Sequence, residues 1–159
     1  MSIKKLGLSP NLVDLLTNKW GIKELYPPQQ KALPAALSGK NIMLTIPTAS
    51  GKSLVAHLTI AHRLKNDLEG QKALYIVPLK ALATEKYNEL KEIADTVDLK
   101  VGLAIGDRSG ENNSIESSDI LVCTSEKLDS LLRNRSELIS KIGIIVSDEF
   151  HLIHDYGRG

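Results

Sequence analysis

The feature that most limits what this chain can fold into is an alternation. Short, nearly continuous apolar runs are separated by longer stretches of helical period. The runs are Ile42-Met43-Leu44, Ala73 to Val77, Val101 to Ile105, Ile120 to Cys123, and Ile142 to Val146. A strand that is apolar at almost every position is covered on both faces, which is the habit of parallel sheets. The intervening stretches place apolar residues on one helical face. Leu54, Leu58, Ala61 and Leu64 form one such face, and Leu79, Leu82, Ala83, Leu90, Ile93 and Ala94 a second. Leu128, Leu131 and Leu132 mark a third. Strands alternating with helices predict an α/β three-layer sandwich with a mainly parallel central sheet and right-handed crossovers. The chain has 159 residues, 42% of them hydrophobic. That is enough to bury a core without disulfide or metal support.

Upstream of the alternation, Ser9-Pro10 reads as a helix start, with Ser as N-cap and Pro in the first turn. Leu12, Leu15 and Leu16 give that helix an apolar face, and Trp20-Gly21 ends it. Pro27 and Pro28 predict an extended approach to a helix through Ala32, Leu33, Ala36 and Leu37, with Pro34 breaking or kinking it. Ser38-Gly39-Lys40-Asn41 is a turn into the first strand.

Ligands of open parallel sheets bind beyond the carboxyl ends of the strands. The first such end carries Ile46-Pro47-Thr48-Ala49-Ser50-Gly51-Lys52-Ser53, immediately before a helix. A strand, a loop ending in Gly-Lys-Ser and a helix form a phosphate cradle. The helix start offers unpaired N–H groups and a positive dipole end. Gly51 lets the backbone approach the phosphates, Lys52 reaches the β and γ oxygens, and the Ser53 hydroxyl suits Mg²⁺. Ile46 stands where the strict pattern has its first glycine. An isolated Gly-Lys-Ser is more often an ordinary turn and helix start, so the reading needs an acidic partner.

That partner is Ser147-Asp148-Glu149-Phe150-His151, at the end of the last strand. Asp148 would hold Mg²⁺ as a hard oxygen ligand, and Glu149 would deprotonate the attacking water. Both motifs are expected to serve one magnesium–triphosphate site. A rival reading takes His151 and His154 with the nearby carboxylates as a transition-metal cluster, but no recognisable metal motif is present.

Composition narrows the rest. Net charge is +1, so the chain has no bulk electrostatic footprint for nucleic acid. Backbone amides, hydroxyls and a few lysines remain open to phosphates. The single cysteine, Cys123, lies in an apolar run and reads as a buried reduced thiol in a reducing, cytoplasmic compartment. The N-terminus lacks the apolar core of a secretory signal, and no run approaches the ~18 residues of a membrane span.

With both motifs in place, the chain resembles the first motor domain, a RecA-like P-loop NTPase fold, of superfamily-two helicases of the D-E-x-H class. It is most similar to the archaeal DNA repair-helicase branch. The motif stands here as Asp148-Glu149-Phe150-His151, and Pro47 to Ser53 matches the family's P-loop, with Ala49 where many members have glycine. Tyr26-Pro27-Pro28-Gln29 matches the upstream element in which Gln29 would read the adenine edge. Pro78-Leu79-Lys80-Ala81-Leu82-Ala83, Gly106-Asp107 and Thr124-Ser125-Glu126-Lys127 are similar to the nucleic-acid-contacting motifs. The resemblance assigns such contacts to Pro78, Lys80, Ala81, Gly106, Asp107, Thr124, Ser125 and Lys127. Read without it, these are caps and turns at strand ends, and the polar stretch from Asp107 to Ser118 is a long loop.

The resemblance implies ATP and Mg²⁺ as ligands and single-stranded or forked nucleic acid, DNA over RNA, as partner. His151 would link the ATP site to the nucleic-acid face. It also implies a helical lead-in over residues 1–25 and a motor domain over 26–159. The coupling motif and a second motor domain would follow beyond Gly159. The expected activity is ATP-driven unwinding by the full-length protein. The alternative is an ATP-gated clamp or RNA–protein remodeller that does not unwind. A P-loop small-molecule kinase is a remote third reading, because no lid or acceptor pocket is recognisable.

Overall fold

A computed structural model describes residues 2–47, 51–106, 115–134 and 136–149. The chain forms two compact units, Met1–Glu69 and Gly70–Gly159.

The first unit is helical. After a single 3₁₀ turn at Ile3–Leu6 comes α1, Pro10–Asp14. The Ser9 hydroxyl accepts from the Leu12 N–H at 3.4 Å, the cap expected there. Rather than ending, the helix widens into a π turn at Leu15–Lys19, closed by the Trp20 N–H donating to the Leu15 carbonyl at 2.9 Å. The widened turn keeps Leu12, Leu15 and Leu16 buried.

Helix α2, Pro27–Leu37, corrects two expectations. Pro27 and Pro28 are its first residues rather than an extended approach. Their missing N–H groups would have had no helical partner anyway. Pro34 does not end the helix, which runs on to Leu37. Leu33 and Ala36 on either side of it are buried, and that burial offsets the lost hydrogen bond. The end is closed by the Ser38 N–H donating to the Pro34 carbonyl and the Lys40 N–H to that of Ala35.

The expected strand at Ile42-Met43-Leu44 is not formed. Met43 is 81% exposed and Ile42 is also exposed, so the run gains no burial. Three apolar residues between Asn41 and the polar Thr45 give little surface to bury, and a strand without a ladder partner has no hydrogen bonds to hold it. Helix α3, Lys52–Lys65, does form. It buries Val55, Leu58, Ile60, Ala61 and Leu64, and ends where Arg63 donates to Asp67 at 2.7 Å.

The second unit is the parallel sheet. Its strands are β1 (Lys72–Val77), β2 (Val101–Ala104), β3 (Ile120–Thr124) and β4 (Ile142–Ser147), in the order β2-β3-β1-β4 and parallel at each pairing. Helix α4 (Lys80–Thr96) follows β1, and α5 (Ser125–Asn134) and α6 (Ser136–Lys141) join β3 to β4. Strand β3 is buried at every position, as its unbroken apolar run predicts. Leu74, Ala104, Ile115, Leu121, Cys123 and Leu131 pack into one core cluster. The far end of the expected polar loop is ordered by that core. Ile115 is buried, residues 115–117 make a helical turn, and the Ser118 hydroxyl donates to the Ile115 carbonyl at 3.1 Å. The Lys72 ammonium donates to the Glu116 carbonyl at 3.1 Å and to that of Ser118. It is a cation set on a helix C-terminus. Desolvation holds its pKa below the usual lysine value.

Cys123 is fully buried, and burial pushes its thiol pKa up to about 12. Thiol reagents at pH 8 are expected to leave it unmodified in the folded chain and to label it once urea is added. The raised pKa also sets a sign. Below the ordinary value of 9.0 both states keep the neutral thiol. Above it only the unfolded chain ionises, so stability falls as pH rises through the 9-to-12 window. Stoichiometric labelling without denaturant would remove Cys123 from the core.

Candidate functional site

In the first unit, the candidate phosphate-binding residues sit at the start of α3. Gly51 is its N-cap at φ 71°, in the left-handed region, and Lys52 and Ser53 are the first two helical residues. A Cβ at position 51 would press on Gln29 Nε2, so the Gln29 amide would have to shift. Backbone can therefore approach a ligand here as a substituted residue could not. Lys52 and Ser53 are half-buried, at the end of a 14-residue helix whose first N–H groups favour anions. Ile46 is half-buried and Pro47 exposed; Thr48, Ala49 and Ser50 lie outside the described residues.

Gln29 braces this turn. It is 3% exposed, accepts from the Tyr26 N–H through Oε1 at 2.9 Å, and donates from Nε2 to the Gly51 carbonyl at 2.9 Å. One amide thus caps α2 and holds the residue before Lys52. Adenine reading was the role expected of Gln29; in this structure its amide is spent on the loop itself.

In the second unit, the candidate carboxylates lie at the carboxyl edge of the sheet. Because the strands are parallel, their C-terminal residues all reach the same edge. Beyond β4, the Asp148 N–H donates to the Ile76 carbonyl at 2.9 Å, extending the β1–β4 ladder by one step. Asp148 is 9% exposed, and its carboxylate accepts from the Tyr75 phenol through Oδ2 at 2.5 Å. Glu149 is half-buried with φ 55°, a left-handed conformation unusual for a residue with a side chain. His151 lies outside the described residues, as does Asp107.

The other candidates share that edge. Pro78 follows β1, and Lys80 and Ala81 are exposed on the first turn of α4. Thr124 ends β3, and its hydroxyl accepts from the Lys127 N–H at 3.2 Å. The cap of α5 is therefore Thr124, while Ser125 is an exposed first helical residue. The Lys127 ammonium donates to the Gly106 carbonyl at 3.0 Å, tying the end of β2's loop to the start of α5. Tyr75 was passed over in the sequence as one more strand residue. The signal was present: a phenol in a strand read as buried needs a partner for its hydroxyl.

In the first unit, a left-handed glycine before a lysine and a hydroxyl on a helix start suits a polyphosphate; in the second, two carboxylates at a sheet edge suit a hard cation. Gly51→Ala is expected to destabilise the chain by about 1–3 kcal/mol through the strained φ and the Gln29 clash. Adding Gln29→Ala relieves the clash but not the φ, so the double variant should recover only part of the loss. Chemical denaturation measures both. A Gly51→Ala chain as stable as the parent would refute the left-handed turn.

Comparison with known proteins gives the chain's family. The DEAD/DEAH box helicase family model matches residues 26–159. The chain is 45% identical to the ATP-dependent DNA helicase Hel308 of Pyrococcus abyssi and 46% identical to that of Methanocella arvoryzae. Each alignment covers 100% of this chain and 22% of the relative, so the chain spans under a quarter of their length. Among solved structures, the helicase MrfA bound to DNA and AMPPNP superposes with TM-score 0.82 at 30% identity, over 96% of this chain and 22% of that one. The RNA helicase Prp28 from Chaetomium thermophilum superposes with TM-score 0.85 at 24% identity, over 99% of this chain and 40% of its own. That likeness speaks for the RecA-like α/β fold. The chain belongs to the DEAD/DEAH box helicase family.

Proposed function

We propose that this chain is the ATP-binding first motor domain of an ATP-dependent DNA helicase, with residues 26–159 as the motor fold and 1–25 as a helical lead-in. Family members use ATP, typically with Mg²⁺. The observation that carries the reading is the Gly51 turn, which seats Lys52 and Ser53 on the first turn of α3.

In this reading, Ile46 to Ser53 wrap the triphosphate and Lys52 draws charge from the β and γ oxygens. Ser53 and Asp148 are the residues that would hold Mg²⁺, which when bound neutralises the charge on those oxygens. Glu149 orients a water and takes its proton as the new O–P bond forms and ADP leaves. Gln29 exchanges its bond to the Gly51 carbonyl for the adenine edge. His151 couples the nucleotide to the nucleic-acid face.

Pro78, Lys80, Ala81, Gly106, Asp107, Thr124, Ser125 and Lys127 follow the phosphates of a single strand, or of the strand peeled from a fork. The exposed first turns of α4 and α5 support this, because helix starts favour phosphate. Lys127 acts there by bracing Gly106. The names of the relatives favour DNA over RNA. A second motor domain elsewhere in the protein would supply arginine to the γ-phosphate. Residues 1–159 alone should therefore turn over little, since such an arginine is worth about 10³–10⁵ in kcat.

ATP turnover by the intact protein, with single-stranded DNA, single-stranded RNA or neither, tests the reading; DNA should stimulate most. Glu149→Gln should lower kcat by about 10²–10⁴ while sparing ATP binding. Unwinding that survives in this variant would withdraw the role given to Glu149. Robust ATP turnover with no strand displacement would favour the clamp instead.

A further inference from the structure

We propose that Tyr75 is a positioning residue for the metal site: its phenol holds the Asp148 carboxylate in the orientation in which it ligates Mg²⁺. The inference rests on the metal role given to Asp148 above.

The strand register makes the contact. Tyr75 pairs with Val146 in the parallel β1–β4 ladder, and Ile76 with Ser147. Side chains alternate along a strand, so Val146 and the residue two positions on share a face with Tyr75. Asp148 is that residue, one pleat further toward the carboxyl edge. A tyrosine is long enough to span the step, and its hydroxyl reaches Asp148 Oδ2 at 2.5 Å. The backbone is anchored by the same strand, through the Asp148 N–H on the Ile76 carbonyl at 2.9 Å. Neighbouring residues of β1 thus fix both the main chain and the carboxylate of Asp148.

The placement asks for an explanation beyond packing. Tyr75 is 0% exposed in the sequence Lys72-Ala73-Leu74-Tyr75-Ile76-Val77, whose buried members are otherwise apolar. Burying a hydroxyl is unfavourable unless it is hydrogen-bonded, and a phenylalanine would fill the same space without that requirement. A carboxylate that ligates a metal with one oxygen gains from a donor on the other. The donor removes a rotational freedom that the ion would otherwise have to quench. An O–H donor suits this work because it binds the ionised carboxylate without adding a charge that competes with Mg²⁺.

The test is Tyr75→Phe in the intact protein, with a fluorescent ATP analogue titrated at rising Mg²⁺. Removal of the hydroxyl should raise the Mg²⁺ concentration for half-maximal binding about tenfold. kcat at saturating Mg²⁺ should stay within about twofold. The Mn²⁺ electron paramagnetic resonance signal should show the same weakening without turnover. A Mg²⁺ curve that coincides with wild type, beside a lowered denaturation midpoint, would make the phenol a packing group and overturn the inference. If wild type itself binds nucleotide with no response to Mg²⁺, the metal role of Asp148 falls first, and the inference with it. Should Tyr75→Phe fail to fold, 3-fluorotyrosine at position 75 decides. Its ¹⁹F resonance should shift when Mg²⁺ is added to the AMPPNP complex, and an unmoved resonance would overturn the inference.

Discussion

Parallel pairing of β1 with β3 on one side and β4 on the other governs the second unit. Parallel strands bury both faces, so the polar groups of their connections are driven to the strand ends. Because the pairings share one direction, the C-terminal ends all open on one edge. Pro78, Gly106, Thr124 and Asp148 arrive there from separate stretches of sequence for that reason alone. The apolar interior and the polar edge are thus two consequences of one constraint. A substitution that slipped β4 by one residue would turn Asp148 to the opposite face, away from Tyr75.

Apolar runs were legible as strands whether or not both faces are covered: β3 is buried at every position, while β4 leaves Ile145 65% exposed. The apolar runs at 73–77, 101–105, 120–123 and 142–146 became β1 to β4 with ends moved by a residue at most. Helix α3 formed as its period required, although its buried face also takes in Val55 and Ile60. The turn and helix start at Gly51-Lys52-Ser53 were legible because a glycine that tolerates φ 71° stands directly before the helical period. Asp148 and Glu149 stood out only beside Gly51-Lys52-Ser53, since a carboxylate pair closing a strand is by itself usually a solvated surface pair.

What the sequence left unread was set by neighbours that a linear scan cannot supply. Ile42-Met43-Leu44 has strand composition, yet composition does not provide a ladder partner. Pro34 looked like a breaker because propensity weighs the missing N–H and not the burial of Leu33 and Ala36. Pro27 and Pro28 are helix starters or helix stoppers according to which side the helix lies on. The π turn at Leu15–Lys19 and the short α6 carry no distinct period. Tyr75 shows the limit most plainly. Its partner lies 73 positions away, and only the β1–β4 register brings the two together.

Gly51 and Glu149 carry the same backbone conformation for different reasons. Both are left-handed, at φ 71° and φ 55°. At position 51 glycine meets the backbone requirement without strain, and a Cβ would displace the Gln29 amide. At position 149 glycine would be the easier residue, and a side chain there costs on the order of 1–2 kcal/mol. A glutamate persists against that cost where the carboxylate itself is required and the surroundings hold the conformation. The adjoining ladder bond from Asp148 to Ile76 and the phenol on the Asp148 carboxylate supply such a hold, one residue upstream. The strain at Glu149 and the anchoring of Asp148 are therefore coupled. The strand that fixes the aspartate also anchors the chain one residue before the left-handed turn at Glu149.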